Sequence, residues 1–408
     1  MNRIIKPNKK TKVLMLSATP VNNRFYDLRN QLALAYCDNP DEFNGKLSTR
    51  ADIDDIFKQA QKVYNAWCKF PESERTTANL LSRLDFDFFE VLDSVTIARS
   101  RKQIQTYYDM KEIGAFPERN KPISLRPKLT DLAGGINYHE IFELLQELKL
   151  TIYTPLNFVL DSELPKYLNE RDTEKFRKGR ELGIQRIMAT NLLKRMESSV
   201  HSFLMTVQEI CDYLKRTSEI IEKFSKHKSS IASVTLEANP LSLDEDDQNT
   251  DFFTVGKKAS VDLRDMDYIT WKGEIDSDIR TFEQLVKMVQ SVTPEYDFKL
   301  NELKRIIREK IASPINPGNK KVLVFTAFSD TAEYLYANLS ELLKKELGVE
   351  VALVTGDING RTTIPNFKTN ISHVLAAFSP KSKDRDVLYP NDNANIDILI
   401  ATDCISEG

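Results

Sequence analysis

A chain of 408 residues with 41% apolar content is longer than one hydrophobic core usually spans, so two or three domains are expected. Its 29% charged residues leave a formal net charge of only -3, which excludes a globally polycationic nucleic-acid binder and restricts any such contact to a local patch. The 4 cysteines and 4 histidines are scattered without a CxxC pair, and no apolar run reaches bilayer length, which excludes a disulfide-built secreted domain, a zinc module and a membrane-embedded chain and leaves a cytoplasmic protein as the expectation.

In chain order, "KVLML" at 12–16 reads as a short buried strand, and "SATPVNNRFYDLRNQLALAY" turns from it into an amphipathic helix with Asn22 or Asn23 as N-cap. Arg99, Arg101 and Lys102 form a basic cluster that fits either phosphates or a solvated helix face. From about 138 to 311 nearly every segment has helical period. Leu193, Met196, Val200, Phe203, Val207, Ile210, Leu214, Ile221 and Phe224 predict one long helix with a core seam. At roughly 1.5 Å per residue that helix would run on the order of 50 Å. Lys194 and Arg195, at its start, read as solvated surface, and Trp67 and Trp271 as core filling. The acidic stretch 239–253 interrupts the helices as a polar loop, without the spacing of a calcium-binding loop.

A second helical run from Phe282 breaks at Pro294 and resumes through "FKLNELKRIIREKI", and Pro314, Pro317 and Gly318 mark a linker. Beyond it, "KKVLVFTAF", "VEVALVTGD" and "IDILIATD" are strands of Val, Leu and Ile without alternation, the first two separated by a helix. That pattern predicts a parallel sheet buried on both faces. Ligands of such sheets bind at the carboxyl ends of the strands. There Ser17, Thr19, Thr402 and Ser406 offer hydroxyls, and Asp403 and Glu407 offer acceptors.

These residues also carry a resemblance. "LSATPVNN" resembles motif III of the superfamily-two helicase-like ATPases, with the Asn pair of their bacterial Swi/Snf-like DNA translocase branch. "KVLVFTAFSDTAEYL" resembles motif IV, "VALVTGD" motif IVa and "DILIATDCISEG" the start of motif V. "IARSRKQI" with "FPERNKPISL" is similar to the basic stretch and strand that close the first lobe. The resemblance implies an α/β fold with a large α-helical insertion, built from parts of two RecA-like P-loop NTPase lobes. Residues 1–130 would be the C-terminal part of the first lobe, 131–312 the helical insertion, and 313–408 the N-terminal part of the second lobe.

Carried over residue by residue, the resemblance gives Ser17 and Thr19 a coupling role and puts Glu407 at the lobe interface. Arg99, Arg101, Lys102, Thr326, Thr402 and Asp403 become candidate nucleic-acid contacts. It implies ATP and magnesium as cofactors of the parent protein, duplex DNA as partner, and a protein partner for the helical insertion. The sequence departs from the family at the engine itself. No GxxxxGK[ST] is present: "FNGKLS" has Gly45 and Lys46, but Pro40 stands at the earlier glycine position and Leu47 at the hydroxyl position. The acidic box and the motif VI arginines are likewise missing. The expectation is therefore the middle of a motor, inactive alone and binding neither ATP nor magnesium tightly, with a noncatalytic scaffold or a strand-separating helicase as rival readings.

Overall fold

The computed structural model describes residues 14–16, 24–35, 49–97, 100–113, 116, 120–132, 134–167, 174–226, 233–236, 259–356 and 360–405, which fall into two compact units, Met1–Ile123 and Ser124–Gly408. The first unit is helical over its described residues: α1 (Phe25–Ala35), α2 (Ile53–Trp67), α3 (Thr77–Leu81), α4 (Phe86–Val95) and α5 (Arg101–Tyr107). Ile53, Ile56, Phe57 and Ala60 recur at helical spacing along α2 and bury one stripe against Leu28 and Leu32 of α1 and Phe88 and Val91 of α4. Two buried polar groups tie this core to the main chain. Gln61 accepts from Phe25 N–H at 2.8 Å, and Asp87 from Arg50 N–H at 2.9 Å.

Two strands expected here are not formed among the described residues. Residues 14–16 are irregular, with Leu14 84% and Leu16 91% exposed, and the segment 120–125 is irregular too, with Ile123 86% exposed. A buried strand needs neighbours for its amides and carbonyls, and the described residues of this unit supply none. Pro122 also removes one donor from the second segment.

In the second unit, α6 (Tyr138–Glu147), α7 (Glu174–Ser198), α8 (Val200–Lys226) and a later helix, α9 (Tyr268–Val289), share one core. The seam of α8 is as predicted: Phe203, Val207, Ile210, Leu214 and Ile221 are all fully buried. The single long helix is not, because the chain breaks at Ser199. Its hydroxyl accepts from Ser202 N–H at 3.0 Å and so caps α8. Trp271 of α9 is fully buried and donates from Nε1 to Thr151 O at 3.2 Å, as core filling requires, whereas Trp67 is half-buried and stacks on Tyr64. A short antiparallel ribbon, β1 (Ser233–Leu236) with β2 (Ala259–Asp262), lies within the stretch read as helical. Four-residue strands are too short to show a period in sequence.

The remainder alternates: α10 (Phe298–Ala312), β3 (Val322–Phe325), α11 (Ser329–Leu347), β4 (Val351–Val354), β5 (Arg361–Thr362), α12 (Ile371–Phe378) and β6 (Ile398–Ala401). The strand order is β3-β6-β4-β5, with β3, β6 and β4 parallel and β5 antiparallel. Val351, Leu353, Ile398 and Ile400 pack under α10 and α11, while Ala352, Val354, Leu399 and Ala401 pack on α12. Both faces of β4 and β6 are thus covered, as an unalternating apolar strand demands. Edge strand β3 differs: Leu323 and Phe325, which share a face with Leu399 and Ala401, remain 45% and 47% exposed. The chain is mixed α/β, and no helix among the described residues is long and apolar enough to cross a membrane.

Candidate functional site at the strand ends

Each parallel strand of the second unit runs directly into a threonine: Thr326 after β3, Thr355 after β4 and Thr402 after β6. The ladder continues into these residues. Thr326 N–H donates to Ala401 O at 2.9 Å, and Thr402 N–H to Val354 O at 3.3 Å. Tertiary pairing therefore brings Thr326, Thr402 and Asp403 to one end of one sheet. Thr402 is fully buried, with its Oγ1 3.4 Å from Cys404 Sγ, and Thr326 donates its hydroxyl to Phe328 O at 2.9 Å. Both hydroxyls are engaged inside the fold, whereas the carboxylate of Asp403 is exposed. Thr355 is 1% exposed, and its Oγ1 has no partner among the described residues.

A cavity of about 600 Å³ opens beside the end of β3, walled by Phe325, Thr326, Leu303 and Ile306 and closed by the last turn of α7. Its ionisable lining is Glu197, Asp297, Glu302 and Asp403 against Lys194 and Lys299, so it favours neutral or cationic groups over phosphate. Lys299 is already committed, donating from Nζ to Glu197 O at 2.6 Å and Ser198 O at 3.0 Å, where a cation suits the carbonyl end of α7. Burial holds its pKa below the ordinary lysine value, only partly opposed by Asp297 and Glu197. Asp297 accepts from Tyr334 OH at 3.0 Å and caps α10 through Leu300 N–H, while His201 stacks on Tyr334 with ring centroids 4.8 Å apart.

Behind the cavity, Arg195 overturns the surface reading. It is 4% exposed, pairs with Asp330 at 2.7 Å, donates to Ser202 Oγ at 3.2 Å and lies 4.7 Å over the Phe328 ring. The small side chains that follow it, Ser198, Ser199 and Ser202, leave room for the guanidinium to turn inward. Ser198 and Ser199 hydroxyls meet Thr331 Oγ1 at 2.8 and 2.9 Å.

Arg101 and Lys102 lie in the other unit, exposed on the first turn of α5, which Ser100 and Gln103 close with a capping box. The Arg101 guanidinium rests 5.5 Å over the Phe116 ring. Ser17, Thr19, Arg99 and Glu407 lie outside the described residues. Sequence reasoning missed Lys299, Asp330 and Thr331, whose roles depend on partners more than 100 residues distant, and Thr355, which the repeated apolar-strand-then-threonine pattern could have revealed. Among the described residues, no group of three or more His, Cys, Asp or Glu could hold a metal ion. Compared with protein-family models, curated proteins and solved structures, the chain matches none.

Proposed function

We propose that the chain works in an ATP-dependent nucleic-acid translocase of the superfamily-two helicase-like kind, with its sheet as part of a RecA-like lobe and duplex DNA as its track. The observation that carries this reading is the convergence of Thr326, Thr402 and Asp403 at the carboxyl end of three parallel strands, where open α/β sheets take their ligands. The two segments that resemble motifs IV and V are neighbours there, joined by the Thr326 to Ala401 bond. In this reading Ser17, Thr19 and Glu407 couple nucleotide state to the track, and Arg99, Arg101 and Lys102 meet its phosphates.

A triphosphate needs clustered amides and cations, and the strand-end cavity instead presents four carboxylates against two ammonium groups. That acidic, apolar wall favours a second reading for this surface, a noncatalytic contact with a protein partner.

The test is binding of labelled duplex and single-stranded DNA across a salt series. Arg101→Gln and Lys102→Gln should each lower the salt slope by about one and weaken binding without regard to sequence. Salt-independent binding, or none, removes the nucleic-acid reading and leaves the protein-contact one.

A further inference from the structure

We propose that Arg195 is a positioning residue, through which the helical body holds the turn between β3 and α11 in the shape that the strand-end site requires. This inference rests on the nucleic-acid reading for what the site binds, but its geometry is independent of it.

A continuous path of close contacts links the two elements. The end of β6 is bonded to Thr326 through Ala401 O, and Thr326 Oγ1 donates to Phe328 O. Phe328 lies beneath the Arg195 guanidinium, and Asp330, two residues on, is ion-paired to it. The N-cap position of α11 gives no support of its own, because Phe328 stands there with no side-chain hydrogen bond. The turn thus leans on α7 and α8 more than on its own sequence. A guanidinium suits this task because one planar group can pair with a carboxylate, donate to a hydroxyl and stack on a ring at once.

The far end of the path is the junction of α7 and α8 at Ser199. Ser199 stands at both helix ends: its N–H donates to Arg195 O at 3.0 Å and closes α7, and its carbonyl accepts from Phe203 N–H at 3.1 Å and opens α8. The same junction carries the bonds of Ser198 and Ser199 to Thr331 and the pairing of Arg195 with Asp330.

The experiment uses the full chain with Arg195→Gln, Arg195→Lys, Asp330→Asn and the double variant Arg195→Gln with Asp330→Asn. Thr331→Val, which removes only the hydroxyl bonds, serves if the arginine variants fold poorly. Hydrogen exchange is read at residues 325–331, with β4 as internal control, alongside affinity for a labelled DNA duplex. Arg195→Gln should speed exchange in the turn about tenfold and leave β4 unchanged, since a segment opens more readily where its own tethers are cut. Duplex affinity should fall with it, recover in part in Arg195→Lys, and fall no further in the double variant. Exchange that stays at the wild-type rate overturns the proposal, and so does faster exchange with unchanged affinity. A wild-type chain that binds no duplex defeats the nucleic-acid reading instead, and the exchange measurement then decides alone whether Arg195 holds the turn.

Discussion

Asp278 is 1% exposed and has no basic partner among the described residues; its carboxylate accepts from Lys149 N–H at 2.9 Å and Leu150 N–H at 2.8 Å. Those bonds hold Leu150 at φ 52°, a left-handed conformation that a branched side chain rarely adopts unaided. Asp278→Ala should cost about 2 to 4 kcal/mol by leaving two buried donors unpaired, measured by urea unfolding. Burial raises its pKa above the ordinary 3.8, against the lowering effect of the amides. A raised folded pKa means the folded chain binds this proton more tightly than the unfolded one, so the stabilisation is full below pH 3.8 and is lost as pH rises through the folded pKa. Wild type should therefore lose stability relative to Asp278→Asn across that interval and run parallel to it above. A flat or opposite difference would show that the amides, not burial, dominate the carboxyl.

At the scale of the element, α8 owes its place to its seam. Phe203 and Val207 are both fully buried among α7, α8 and α9, so Phe203→Asp or Val207→Asp should cost on the order of 4 kcal/mol by setting an unpaired charge in an apolar core. Chemical denaturation with wild-type midpoints for both would refute the seam. Helix α11 ends differently, on Gly348 at φ 63°, with open space where a Cβ would stand. Gly348→Ala should cost about 1 kcal/mol through backbone conformation alone, and Gly348→Asn less, because Asn tolerates the left-handed region. Equal melting temperatures for all three chains would mean that the terminus relaxes into another cap.

For the whole molecule, the first unit has its core around Phe57 and Phe88, the second has one core in the helical body and one on each face of the sheet, and each unit holds one of the chain's 2 tryptophans. Two unfolding transitions are expected, reported separately by Trp67 in a Trp271→Phe chain and by Trp271 in a Trp67→Phe chain. Phe57→Ala should shift only the Trp67 transition, by roughly 3 to 5 kcal/mol. Within the second unit the helical body and the sheet should melt together, since the pairing of Arg195 with Asp330 and the stacking of His201 on Tyr334 join them. Coincident transitions in both single-tryptophan chains would falsify the division into two cooperative units.

Much of this was determined by local chemistry and was legible in the residues. The unalternating runs that became β3, β4 and β6, the heptad-like stripe of α8 and the interruption at Pro294 follow from side-chain periodicity and proline geometry, which act within a few residues. That Thr326 and Thr402 stand at one end of the sheet depends on β6 entering between β3 and β4, a pairing that no local pattern encodes. Tertiary structure alone decided that Arg195 turns inward, that Ser199 breaks the long helix and that residues 14–16 stand exposed. In each case the deciding partner lies far along the chain or is missing among the described residues of the same unit, and burial is a property of partners rather than of sequence.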